Sequence, residues 1–177
     1  MTEGVLVRLR DLTVEDADLL DRWAENPANV GEFNDFDRER EPVDRDALAR
    51  GPLRNEHNGQ LMVEVVADDR PIGTVGWHRV SYGPNAESGA WNVGIALVPE
   101  ERGHGYGTEA QVLVAAWLFA NTRANRVEAQ TDIENVAEQR SLEKAGYTRE
   151  GVVRGSQFRA GAYHDLVTYS RLRADGS

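Results

Sequence analysis

The sequence predicts an α+β (mixed α/β) fold, a mostly antiparallel sheet flanked by helices, in one domain over residues 1–177. Three observations carry this expectation. Short runs with period-two alternation recur along the chain with helical patterns interspersed, the arrangement expected of helices laid on an antiparallel or mixed sheet. The longest helical pattern, Ala110, Leu113, Val114, Trp117 and Leu118, repeats at i, i+3, i+4, i+7 and i+8, so one whole face must be buried. No internal repeat or low-complexity segment divides the 177 residues, a length that fits one domain.

Val5 to Leu9 alternates as a short strand. Thr13 followed by Glu15 and Asp16 starts a helix that runs to about Asn26, with Ala17, Leu20, Trp23 and Ala24 as its buried stripe. From Pro27 to Pro52 the text turns acidic and arginine-rich and reads as loop and short helices. So long an irregular stretch in a compact domain is functional or disordered, and Phe33 and Phe36 argue for a packed one. Leu61 to Ala67 and Ile72 to Val80, joined through Asp68, Asp69, Arg70 and Pro71, form a hairpin. Trp91 to Val98 is a strand ended by Pro99, and Arg126 to Thr131 is another. Asn135 to Ala145 is a short helix stopped by Gly146, and Tyr147 to Val153 with His164 to Leu172 are the last two strands.

Composition removes several functions. A formal charge of −10 disfavours nucleic acid and favours cationic partners such as amines. The absence of cysteine rules out disulfides, a thiolate nucleophile and Cys-ligated metal, and the four histidines show no metal-ligand spacing. No apolar run is long enough for a membrane span, so the expectation is a cytoplasmic protein with no membrane partner.

The most informative text is Arg102 to Gly107, RGHGYG, between a strand and the strongest helix. Gly103, Gly105 and Gly107 leave bare backbone at a helix start, where N–H groups and the helix dipole can converge on a small anion. With Arg102 as a charged donor the guest is a phosphate or pyrophosphate; the alternative is a plain turn. Thr108 stands where a dinucleotide fingerprint needs its last glycine. The single lysine, Lys144, is far from any Walker-type run, so neither nucleotide site fits.

The order strand, Pro99, RGHGYG, helix, strand, then Asn135 opening a helix that ends LEKAGY (Leu142 to Tyr147), resembles the GNAT (Gcn5-related) N-acetyltransferases and, within them, the RimJ/RimL branch. Leu9 to Pro27, RPIGTVGW (Arg70 to Trp77), RVEAQTDIEN (Arg126 to Asn135) and YHDLVTYSRL (Tyr163 to Leu172) extend the resemblance over nearly the whole chain. It implies a sheet that splays between two parallel central strands, and it implies acetyl-CoA as cosubstrate with no metal. The pyrophosphate would lie on Gly103, Gly105, Gly107 and Thr108, flanked by Arg102, His104 and Tyr106. Pantetheine would meet backbone groups of Leu97 and Val98, and the N–H of Ile95 would face the thioester oxygen as an oxyanion donor. Asn135 matches an asparagine that bonds the pantetheine arm, or is a plain helix N-cap. Arg140 would reach a CoA phosphate or is a solvated helix residue. Two copies of a chain commonly pair through late strands or helix faces in this family, which implies a homodimer.

The chain departs from the family at both catalytic points. A base must relieve the attacking amine of a proton and an acid must protonate the leaving thiolate. Asn92 stands where the branch often has glutamate, and Glu138 stands where it usually has serine. Glu138 would serve as an acid only if burial keeps it protonated, and is otherwise a surface helix residue. Base candidates are Glu128, Glu87, His78 and His164, or water held by Asn92; Glu128 and His78 also have structural readings. Acceptor recognition falls to the Gly31 to Arg40 loop and the Arg154 to His164 hairpin, where Glu32, Asp35, Asp37 and Asp165 would present carboxylates to a cationic amine or a peptide N-terminus. The reaction implied is acetyl transfer to a primary amine by direct attack. A non-catalytic acyl-CoA-binding module and transfer of a different acyl group are the alternatives.

Overall fold

The computed structural model describes residues 2–36 and 41–176. Eight strands, β1 (Thr2–Glu3), β2 (Val7–Asp11), β3 (Asn58–Val65), β4 (Pro71–Ser81), β5 (Gly89–Leu97), β6 (Arg126–Asp132), β7 (Thr148–Arg159) and β8 (Ala162–Leu172), form one sheet in the order β1-β2-β3-β4-β5-β6-β8-β7. Every neighbouring pair is antiparallel except β5 and β6. The helices are α1 (Ala17–Glu25), α2 (Pro27–Val30), α3 (Arg45–Arg50), α4 (Tyr106–Asn121) and α5 (Val136–Lys144). Among the described residues no helix is long and apolar enough to cross a membrane.

Strand alternation sorts side chains onto two layers. Leu9, Val63, Val75, Val93, Val127 and Tyr169 face α4 and α5, where Ala110, Val114, Leu118 and Leu142 close the main core. Met62 points the other way, into a smaller cluster with Leu12, Ala17 and Leu48 beneath α1 and α3. The α4 stripe is buried as its spacing requires, except that Trp117 is half-buried and packs at a 43° tilt against Trp77, ring centroids 5.1 Å apart.

Several boundaries differ from the sequence expectation for identifiable reasons. The first long strand starts at Val7 rather than Val5, because Glu109 on α4 accepts the N–H groups of Val5, Leu6 and Val7 at 3.0, 2.7 and 2.7 Å. Thr13 does open a helical turn, Val14–Asp16, before α1 takes over; Asp16 accepts the Thr13 N–H at 2.8 Å. The last two strands run beyond the expected Val153 and His164 into the Arg154 to His164 hairpin, which is closed by Ala160 (φ 48°) and Gly161 (φ 76°). Two positive φ angles in succession are what a two-residue hairpin turn requires. The region from Pro27 to Pro52 contains α2 and α3 as its short helices. Asp37 lies outside the described residues.

Candidate active site

β5 and β6 run parallel through only three registered pairs, Trp91 with Val127, Asn92 with Glu128 and Val93 with Ala129. On its other side β5 stays paired with β4 to Leu97. The Val98 N–H bonds Ile72 O at 3.0 Å, so Val98 turns its backbone toward β4. Because an antiparallel ladder alternates, Ile95 and Leu97 turn theirs toward the gap beside β6. The strands therefore part after Val93 and leave a slot whose β5 edge is not paired with β6. At that edge the Leu97 carbonyl accepts from Arg102 Nε at 2.9 Å, and Arg102 also reaches Asn29 O at 3.1 Å. The Arg102 guanidinium thus ties the end of β5 to α2.

At the wide end of the slot lies the glycine loop. Gly103 and Gly105 hold φ of 82° and 86°, the left-handed region that glycine tolerates and other residues resist. A Cβ on Gly103 would meet nothing within 4 Å, so this backbone faces open space. Gly105 is the N-cap of α4, and no side chain caps the helix, which leaves the first-turn N–H groups and the positive end of the dipole directed outward. His104 stacks on Tyr106 with ring centroids 5.6 Å apart. A methyl on Gly107 would lie 3.5 Å from Leu97 Cδ1, 3.8 Å from Ser141 Oγ and 3.9 Å from Ile95 Cδ1; β5, α4 and α5 converge there.

Between α4 and α5 runs a chain of polar groups. Thr108 Oγ1 lies 3.1 Å from Ser141 Oγ, Ser141 donates to Gln111 Oε1 at 3.4 Å, and Gln111 Nε2 donates to Glu138 Oε1 at 2.5 Å. Burial pushes the Glu138 carboxyl up to about 7, against the opposing pull of the Gln111 bond. It is a carboxylic acid poised between its two states near neutrality. Tyr147 lies beside it with a buried hydroxyl that finds no hydrogen-bond partner among the described residues; burial raises its titration well above the usual tyrosine range. Asn135 caps α5, its Oδ1 accepting the Glu138 N–H at 3.2 Å, while Arg140 is exposed on the same helix.

At the narrow end, Asn92 Nδ2 donates to Glu128 Oε1 at 3.3 Å. Glu128 is only 2% exposed, and its other oxygen accepts from Tyr82 at 2.5 Å and Arg126 at 2.9 Å. Arg126 in turn holds Glu150 at 2.5 and 2.6 Å. A carboxylate so fully engaged holds Asn92 in place. His78, exposed and registered with Asn92, lines a cavity of about 760 Å³ together with Gly76, Gly94 and the α3–β3 connection.

The other residues named from sequence lie outside this cavity. Glu87 is exposed on a helical turn. Asp165 accepts the Gly155 N–H at 2.7 Å and fixes a bulge in β7. His164 lies 3.5 Å from Asp132, whose main partner is the buried Arg159. Arg159 also donates to Glu32 O at 2.6 Å, so it clamps the loop after α2 to the last hairpin. Sequence reasoning did not single out Gln111, Ser141, Tyr82 or Tyr147. A glutamine beside Ala110 on an otherwise apolar helix face was the one available sign of the polar chain.

A splayed parallel pair, a bare glycine loop at an uncapped helix and a cavity beside the splay therefore lie together. The acetyltransferase (GNAT) domain model matches residues 7–148. The chain belongs to the GNAT acetyltransferases. It is 25% identical over 172 residues to the uncharacterized N-acetyltransferase p20 of Bacillus licheniformis, covering 94% of this chain and 93% of that one. Among solved structures, the ribosomal-protein-S5-alanine acetyltransferase from Vibrio fischeri superposes with a TM-score of 0.79 at 19% identity, covering 99% of this chain and 97% of the other. Spermidine N-acetyltransferase from Vibrio cholerae, solved with CoA and spermine, gives 0.75 at 19% identity, covering 97% and 98%.

Proposed function

We propose that this protein uses acetyl-CoA as cosubstrate and transfers the acetyl group to a primary amine, on a small molecule or a protein N-terminus, by direct attack on the thioester. The observation that carries the reading is the slot after Val93, which joins the glycine loop to the cavity. Gly103, Gly105, Gly107 and Thr108 suit a pyrophosphate, and Leu97 and Asn135 border the path of the pantetheine arm. The Arg102 guanidinium, tied to Leu97 O and Asn29 O, supports the loop's shape as well as its charge.

His78, or water held by Asn92, takes the proton from the amine as its nitrogen bonds to the carbonyl carbon. The Ile95 N–H faces the oxygen on which negative charge develops. Glu138 gives its proton to the sulfur as the carbon–sulfur bond breaks, and Gln111 keeps that carboxyl oriented. The same reading places the reaction in the cytoplasm. A second copy of the chain would pair at the outer strand β7, where Val152, Val153 and Phe158 are exposed.

Mixing the protein with acetyl-CoA and a panel of amines while following free thiol is the direct test. Acceptor-dependent thiol release is expected. CoA binding with no release across peptides, polyamines and aminoglycosides would refute the transfer reading.

A further inference from the structure

The charge of the cavity at the slot vertex runs against the charge of the chain. The protein carries 30 acidic residues against 20 basic ones, yet among the described residues no carboxylate lines this cavity. Its ionisable lining groups are Arg50, Arg54 and His78, accompanied by the carboxamides of Gln60 and Asn92. A pocket shaped for a polyamine would present acids, because a buried or half-buried ammonium needs an opposite charge.

The two arginines differ in their commitments. Arg54 pairs with Asp11 and lies over the Trp117 ring at 5.6 Å, so it is held in place. Among the described residues Arg50 pairs with Asp44, at 3.8 Å, with both side chains about 70% exposed. Asp44 is meanwhile occupied as the N-cap of α3, accepting the Ala47 N–H at 2.9 Å. The Arg50 guanidinium therefore keeps donors to offer, in the forked geometry that suits a carboxylate or phosphate. At the opposite wall Gly94 leaves space, since a Cβ there would meet nothing within 4 Å. Asn92 and His78 stand beside it, next to the slot.

We propose that the acceptor is a small amine that also bears an oxyanionic group, with the amine directed to the Asn92–Gly94 wall and the anion to Arg50. This rests on the acetyl-transfer reading above and deepens it. The cavity's roughly 760 Å³ suits a small molecule.

The test compares matched acceptors: an amino acid with its methyl ester, phosphoethanolamine with ethanolamine, and spermidine. The anionic member of a pair is expected to show kcat/KM about tenfold higher than its neutral counterpart. The two pairs tell carboxylate from phosphate. Arg50→Gln is expected to collapse that ratio. Preference for spermidine, equal use of both members of each pair, or a ratio unchanged by Arg50→Gln would overturn the inference. Calorimetry of the same acceptors on the protein with CoA reads the pocket without turnover. An anionic amine that binds no tighter than its neutral partner overturns the inference, whereas tighter binding without thiol release would refute transfer and leave the charge preference standing.

Discussion

Replacing Glu138 by Gln isolates the most unusual group in the proposed mechanism. The glutamine keeps the size and an oxygen for Gln111 but can never ionise. In the native protein burial lifts this carboxyl from 4.5 to about 7, a preference of about 3 kcal/mol for the protonated form. Between those two values the folded state holds a proton that the unfolded chain has released. Stability therefore falls as pH rises through that window and levels off above about 7. The variant escapes this penalty. It is expected to melt near the native temperature at about pH 4 and up to about 6–12 °C higher above about pH 8. Catalysis should move the other way, with kcat down about a hundredfold, CoA affinity retained, and the limb near pH 7 missing from the kcat profile. Paired melting curves and pH–rate profiles provide both readouts. A stability difference that does not grow with pH, or a falling limb near pH 7 that survives in the variant, would refute the assignment.

Three further outcomes are expected. Gly103→Glu should abolish CoA binding in calorimetry, because it strains a residue at φ 82° and puts negative charge where the pyrophosphate would lie; unchanged affinity would remove the loop from the site. Gly94→Leu should raise the acceptor KM at least tenfold while CoA binds as before, since the new side chain would occupy the cavity wall; an unchanged acceptor KM would move the acceptor elsewhere. Glu109→Ala should cost about 3 kcal/mol and lower the melting temperature by about 6–12 °C, because three backbone donors lose one shared acceptor; a loss below about 1 kcal/mol would mean that water replaces it fully.

What was legible in the sequence follows from which signals are local. The glycine loop, the α4 stripe and the Asn135 cap are written in neighbouring residues, and the structure has a bare loop, a buried face and a capped helix at those positions. The last hairpin was legible, but the reach of its two strands to Arg159 and from Ala162 was not. β7 and the first residues of β8 are mostly exposed, so they lack apolar alternation, and a turn through Ala160 carries no glycine at its first position. Glu128 illustrates the same limit within the site: nothing nearby in sequence says that Tyr82 and Asn92 converge on its carboxylate. The Gly31 to Arg40 loop is rich in acids, whereas the cavity is lined by Arg50 and Arg54 from the segment around α3. Contacts between residues far apart in the chain decide such matters, and composition averages over them.

The three-residue pairing of β5 with β6 also has a mechanical meaning. Five strands on one side and three on the other are laced together by a seam shorter than any other long-strand pairing in the sheet. Across the splayed part the two halves are joined through α4 and α5 packed on one face. Under the acetyl-CoA reading proposed above, an extended ligand laid into the gap would act as a stitch between the two halves. Occupancy of the slot and cohesion of the fold are then one quantity, with each rising as the other does.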